Sequence, residues 1–186
     1  MGKKIEISLG FCAFVCILGW YNMALCRNYL IAFLVHELGH IAAVVFCCGK
    51  WNRISLKISG AVISCSVRGY TQEICCTAAG PAASFLLMLL MFRMRPELAL
   101  ISGSLGAVNL LPIYPLDGGR ILRAILMLKL DEDRVNIILS RFAFVVCSIL
   151  MGVACWITAE LQTGIWPVFV VLVLLCRIGC AEREER

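Results

Sequence analysis

The chain contains two histidines, His36 and His40, four residues apart in the run Val35-His36-Glu37-Leu38-Gly39-His40. On a helix that spacing puts both imidazoles on one face, where they can reach a single metal ion. Glu37, beside the first of them, can then take a proton from a water held by the ion, as a general base. The flanking residues are apolar, so the three polar side chains fall inside a stretch fit to cross a membrane. An ionisable group there is costly and marks function by default. Two plainer readings stand beside this one. Polar side chains also join membrane helices through interhelical hydrogen bonds, and an ion can be held without catalysis. A purely structural site, however, has no use for a carboxylate beside the ion.

A catalytic zinc takes three protein ligands and keeps a fourth position for water. With no third histidine, a carboxylate or thiolate must complete the set. Cys47 and Cys48 lie about two turns further along the same helix, some 10 Å away by helical rise, which is too far. Glu73 and Glu97 stand at the entrances of apolar runs, Glu160 at the exit of another, and Asp131-Glu132-Asp133 forms a solvated acidic cluster. Asp117 differs. It ends an apolar run in Asn109-Leu110-Leu111-Pro112-Ile113-Tyr114-Pro115-Leu116-Asp117-Gly118-Gly119-Arg120, where two prolines and two glycines must break the helix. Irregular backbone at membrane depth is tolerated only where protein buries it or it lines a wet cavity. The break therefore predicts a cavity with Asp117 in it. On turn chemistry alone, the same segment reads as a turn leaving the membrane, with Asp117 capping the next helix.

The elements that must position these residues follow from composition. Of 186 residues, 61% are hydrophobic and 16% charged, against about 45–50% and about 25% for a soluble domain. That excludes a disordered tail, a nucleic-acid-binding domain and an ordinary water-soluble enzyme. The 12 cysteines lie mostly inside apolar runs, where Cys behaves as a small hydrophobe, and no Cys-x-x-Cys pair occurs. A spanning helix needs about 20 mostly apolar residues. Six runs fit: between Glu6 and Arg27, from Asn28 to Gly49, between Glu73 and Arg93, between Glu97 and Asp117, between Arg141 and Glu160, and between Glu160 and Arg177. The first is long enough to span and lacks the small-residue cleavage site of a signal peptide.

Six spans put 13 Lys and Arg residues on the side of the termini and three, Arg27, Arg93 and Arg95, on the other, with Arg141 left uncounted at the start of the fifth run. Positive charge stays inside, so both termini are expected to be cytoplasmic. The net charge of +5 is thus read as topology, with no nucleic-acid partner. Ile54 to Ser59 alternates apolar and polar with the period of a half-buried strand. Gly60-Ala61 can turn, and Val62 to Val67 can return as a second strand. The segment from Gly118 to Leu130 reads as an interfacial helix with Asp131-Glu132-Asp133 as its solvated end. The expected fold is an all-α integral membrane protein, with six transmembrane helices and a short cytoplasmic-side β-hairpin between helices 2 and 3.

Three motifs together resemble the site-2 protease family of intramembrane zinc metalloproteases. They are His36-Glu37-Leu38-Gly39-His40, Ala79-Gly80-Pro81, and Asn109 to Gly119, which matches the family's Asn-x-x-Pro-x-x-Pro-Leu-Asp-Gly-Gly pattern. They fall on the second, third and fourth runs in the family's order. The resemblance implies that His36, His40 and Asp117 hold Zn²⁺, which lowers the pKa of its bound water and polarises the scissile carbonyl. It implies that Glu37 moves the proton to the leaving amine, and that Asn109 orients the substrate or stabilises the oxyanion. The hairpin at 52–67 is expected to pair with the unwound substrate by edge addition.

The layout is similar to the subgroup typified by stage IV sporulation protein FB, which cleaves a membrane-associated precursor of a transcription factor. The implied activity is regulated intramembrane proteolysis, of a transmembrane or membrane-associated protein, in a multi-pass bacterial cell-membrane enzyme. The implied partners are that substrate, the lipid bilayer and an inhibitory membrane partner. No PDZ domain separates the spans and no CBS domain follows them, so one polytopic metalloprotease domain over 1–186 is expected. The rival reading is a non-proteolytic zinc-binding membrane scaffold or sequestering factor. A zinc transporter would need ligands staged along a path, and the fifth and sixth runs offer none.

Overall fold

A computed structural model of the chain describes residues 5–7, 16, 19, 20, 22–48, 53–57, 60–64 and 69–161. They belong to two compact units, divided between Leu110 and Leu111. In the first unit lie α1 (Met23–Cys48), α2 (Tyr70–Met91) and α3 (Pro96–Asn109), each packed on the other two. The second contains α4 (Asp117–Met127), packed on α5 (Glu132–Leu161).

Local chemistry sets the helix ends. Asn22 caps α1, its Oδ1 accepting from the backbone N–H groups of Ala24 and Leu25 at 2.9 and 3.1 Å, and so satisfying two otherwise unpaired donors. Pro96 stands at the start of α3, where its missing N–H costs nothing. Glu132 and Asp133 occupy the first turn of α5, where negative charge meets the positive end of the helix dipole.

Between apolar helices in a membrane, attraction comes from close approach and interhelical hydrogen bonds, because lipid is as apolar as leucine. Both are present in the first unit. A Cβ on Gly39 of α1 would stand 2.6 Å from the Ala79 carbonyl oxygen and 2.8 Å from the Ala83 Cβ of α2. Gly106 of α3 faces Ser84 and Pro81 of α2 with little more room. Ser102 Oγ donates to the Ser84 carbonyl at 2.8 Å, both residues being fully buried. Leu34, Leu38 and Phe46 of α1, and Leu86, Leu89 and Leu90 of α2, point outward, as suits a lipid solvent.

The expected six-span, hairpin-bearing architecture is corrected by these elements. Among the described residues there are five helices, of which three are long and apolar enough to cross a membrane: Met23–Cys47, Tyr70–Met91 and Glu132–Trp156. The fourth run falls short. Its helix, α3, has 14 residues and rises about 21 Å, against about 30 Å of hydrocarbon, because Pro112 and the turns around it stop it. The first and last runs lie mostly outside the described residues.

The two-stranded hairpin is replaced by a three-stranded sheet, β1 (Ile5–Ile7), β2 (Arg53–Lys57) and β3 (Gly60–Ser64), in the order β1-β2-β3. β1 runs parallel to β2, with Ile5 opposite Ile54, and β3 antiparallel to it, with Lys57 opposite Gly60. Gly60 and Ala61 therefore belong to a strand rather than to the turn. A two-stranded ribbon alone is marginal, and the third strand pairs the edge of β2 that a hairpin would leave open. The acidic triplet is also reassigned: α4 ends at Met127, and Glu132 and Asp133 start α5 instead of ending the helix before it.

Candidate metal centre and active site

α1 presents His36, Glu37 and His40 on its buried side, at 3%, 6% and 8% exposure, while Leu38 between them is 58% exposed. The helical repeat alone produces this division, since residues three and four apart share a face. The two Nε2 atoms stand 3.3 Å apart. Two imidazole nitrogens at about 2.0–2.1 Å from one tetrahedral zinc are separated by about 3.3–3.4 Å, so the pair has the spacing that zinc requires.

The other ring nitrogens are held by α2. His40 Nδ1 lies 2.9 Å from the Cys76 carbonyl oxygen. A carbonyl only accepts, so Nδ1 donates and Nε2 carries the lone pair that a metal needs. His36 Nδ1 lies 2.9 Å from Ser84 Oγ. Gly80, between these two partners on α2, is packed so closely on the His40 ring that a Cβ there would overlap Nε2. Ala79-Gly80-Pro81 thus has a physical role that spacing did not disclose: it makes room for the second imidazole. Ser84 and the Cys76 carbonyl went unnoticed in the sequence. A serine in an apolar run was their only signal, and a backbone carbonyl gives none.

Asn109 closes α3. Its Nδ2 donates to the Leu105 carbonyl of the same helix at 3.0 Å, and its side chain is partly buried. Cys47, the thiol on α1 set aside by distance, is exposed.

In the second unit, Asp117 is buried, at 8% exposure, as the first residue of α4. The cap position is Leu116, so Asp117 is not the helix cap. The non-helical stretch before it is ordered by its own bonds: Ile113 N–H donates to the Leu111 carbonyl at 2.7 Å, Leu116 N–H to Ile113 at 2.8 Å, and Arg120 N–H to Leu116 at 3.0 Å. The Tyr114–Pro115 peptide is cis. Gly119 is pressed against the Ile113–Tyr114 backbone, where any Cβ would collide. Ile113 and Leu116 anchor the stretch on α5 through Ala143 and Cys147.

Family comparison follows the same segments. The description of the M50B-like peptidases matches residues 8–115, more than half of the chain, and that of peptidase family M50 matches residues 96–150. The chain belongs to the site-2 protease family. That family consists of membrane-embedded zinc metalloendopeptidases, and the three long apolar helices agree with it: the chain is a membrane protein. The resemblance drawn from the three motifs is borne out.

Similar proteins include a site-2 protease from Methanocaldococcus jannaschii of known structure, with a TM-score of 0.68 and 26% identity, covering 100% of this chain and 92% of that one. Stage IV sporulation protein FB of Bacillus subtilis is 30% identical over 77% of this chain and 54% of its own length. A zinc metalloprotease of M. jannaschii is 28% identical over 69% of this chain and 44% of its own. The chain thus spans about half the length of the curated relatives it matches.

Proposed function

We propose that this site-2 protease family member is a zinc-dependent intramembrane endopeptidase, with His36, His40 and Asp117 holding the ion and Glu37 as general base. The observation that carries it is the pair of Nε2 atoms 3.3 Å apart on the buried face of an apolar helix, with the Glu37 carboxylate on the same side. Asp117 is the proposed third ligand because zinc chemistry requires one. It is also a buried carboxylate at the end of a segment whose backbone is held in place.

The chemistry supplied by bound zinc is polarisation of the scissile carbonyl and acidification of a water. Glu37 would act as general base, its carboxylate taking a proton from the attacking water and returning it to the departing amine. Asn109 is the proposed residue that orients the substrate or stabilises the oxyanion; its side chain is partly buried at the end of α3, with Nδ2 donating to the Leu105 carbonyl. The substrate proposed is a membrane-embedded protein, cut in regulated proteolysis of a transcription-factor precursor or regulator, as the likeness to stage IV sporulation protein FB supports. The three helices long and apolar enough to cross a membrane support a multi-pass cell-membrane protein.

Glu37→Gln tests the reading in the full-length protein with a tethered helical substrate. Zinc content should stay at the wild-type level while cleavage falls by at least about 10²–10⁴-fold, the usual worth of a general base. Zinc retained together with undiminished turnover would remove Glu37 from the chemistry. A wild-type protein that binds zinc but cuts no membrane substrate would favour the scaffold reading.

A further inference from the structure

The two histidines are held by unlike partners, and the difference points to a residue outside the motifs. His40 Nδ1 faces the Cys76 carbonyl at 2.9 Å, a group that can only accept and that no side-chain substitution removes. His36 Nδ1 faces the Ser84 hydroxyl at 2.9 Å, which can accept or donate. Ser84 is 0% exposed and His36 3% exposed, so the hydroxyl and the ring nitrogen meet away from the surface. Whether His36 turns a lone pair or an N–H toward His40 Nε2, 3.3 Å away, therefore depends on what Ser84 does.

We propose that Ser84 is a positioning residue for the metal centre: its Oγ accepts from His36 Nδ1–H and so fixes the tautomer and ring orientation in which Nε2 serves as ligand. This rests on the reading that His36 and His40 hold zinc. Partners of this kind on a ligand's far nitrogen orient the ring and raise its basicity. Here the partner comes from α2, whose position against α1 is set by the close contact at Gly39. On its other side Ser102 Oγ of α3 donates to the Ser84 backbone carbonyl at 2.8 Å, a bond that does not involve the Ser84 hydroxyl.

Ser102 supplies the control. It is equally buried and donates one hydrogen bond to the same residue, but it does not touch His36. Zinc affinity is measured by chelator competition on the purified full-length protein, the ligand field by visible absorption of the cobalt(II)-substituted form, and folding by thermal melting. Ser84→Ala is expected to weaken zinc binding about 10–100-fold and to shift the cobalt bands. Ser102→Ala should melt lower but keep both metal readouts at wild-type values. Ser84→Cys, which nearly keeps the volume and exchanges a strong acceptor for a weak one, should fall between Ser84→Ala and wild type, and it serves if Ser84→Ala does not fold. Wild-type affinity and spectrum in either Ser84 variant, or an equal loss in Ser102→Ala, would overturn the positioning role. Absence of zinc from the wild-type protein would overturn the metalloprotease reading beneath it.

Discussion

The helix that bears His36 and His40 and the segment that bears Asp117 reach burial by opposite routes. On α1 the two imidazoles need nothing beyond helical periodicity to share a face, and Asn22 at the cap and a mostly apolar sequence secure the helix. Asp117 sits at the junction of a non-helical stretch and a helix of 11 residues. Its place is set by contacts made elsewhere: Gly119 on the Ile113–Tyr114 backbone, and Ile113 and Leu116 on α5. A pair of candidate ligands on one helix is a local property of sequence. A ligand after a helix break is only as well placed as the packing that fixes the break.

The largest effect should come from removing the carboxylate itself. Asp117→Ala is expected to lower zinc affinity by more than the roughly 10–100-fold typical of losing a group that merely supports a ligand, measured by chelator competition. Unchanged zinc content would break the comparison, since another residue would then complete the site. Next in size is the anchor. Leu116→Ala opens a cavity in a cluster where Leu116 is 5% exposed, at a cost of about 2–5 kcal/mol, and thermal melting should show it. The same variant should reduce cleavage, because it loosens the stretch that carries Asp117.

The two glycines sharpen the contrast. Gly119→Ala and Gly80→Ala should each cost about 1–3 kcal/mol by overpacking. Gly80→Ala intrudes on the His40 ring and Gly119→Ala on backbone. Both should lower zinc affinity, the first through His40 and the second through Asp117. If Gly119→Ala lowers stability but leaves zinc affinity intact, Asp117 does not depend on that contact. The smallest effect is expected at the Arg123–Glu132 ion pair, 2.8 Å long with Glu132 62% exposed. Glu132→Gln should change stability by no more than about 1 kcal/mol and leave zinc binding as it was.

Much of the site was legible because its signals are local. His36, Glu37 and His40 need only the helical repeat, and Pro112 and Pro115 mark the break, whereas Gly118 and Gly119, expected to share in it, lie inside α4. The fold was less legible. Charge-free length cannot tell a spanning helix from one stopped after 14 residues, as α3 shows. Alternation across Ile54 to Ser59 shows a strand but not how many partners it has, so β1, pairing across some 50 positions of sequence, was missed. The acidic triplet fits the end of one helix as well as the start of the next, and only the hydrogen bonds decide between them.

The sequence by itself pointed to the class of chemistry: two histidines four apart with a glutamate beside them, inside an apolar helix, are the pattern proposed for a metal and a base on one buried face. Tertiary structure decided what each ligand leans on. That Cys76 offers a carbonyl to one imidazole and Ser84 a hydroxyl to the other, and that Gly80 leaves room for His40, depend on residues far apart in the chain. The physical reason is range. Helical periodicity acts over four residues and can be read from spacing, whereas close packing between elements acts through shape, which spacing does not encode.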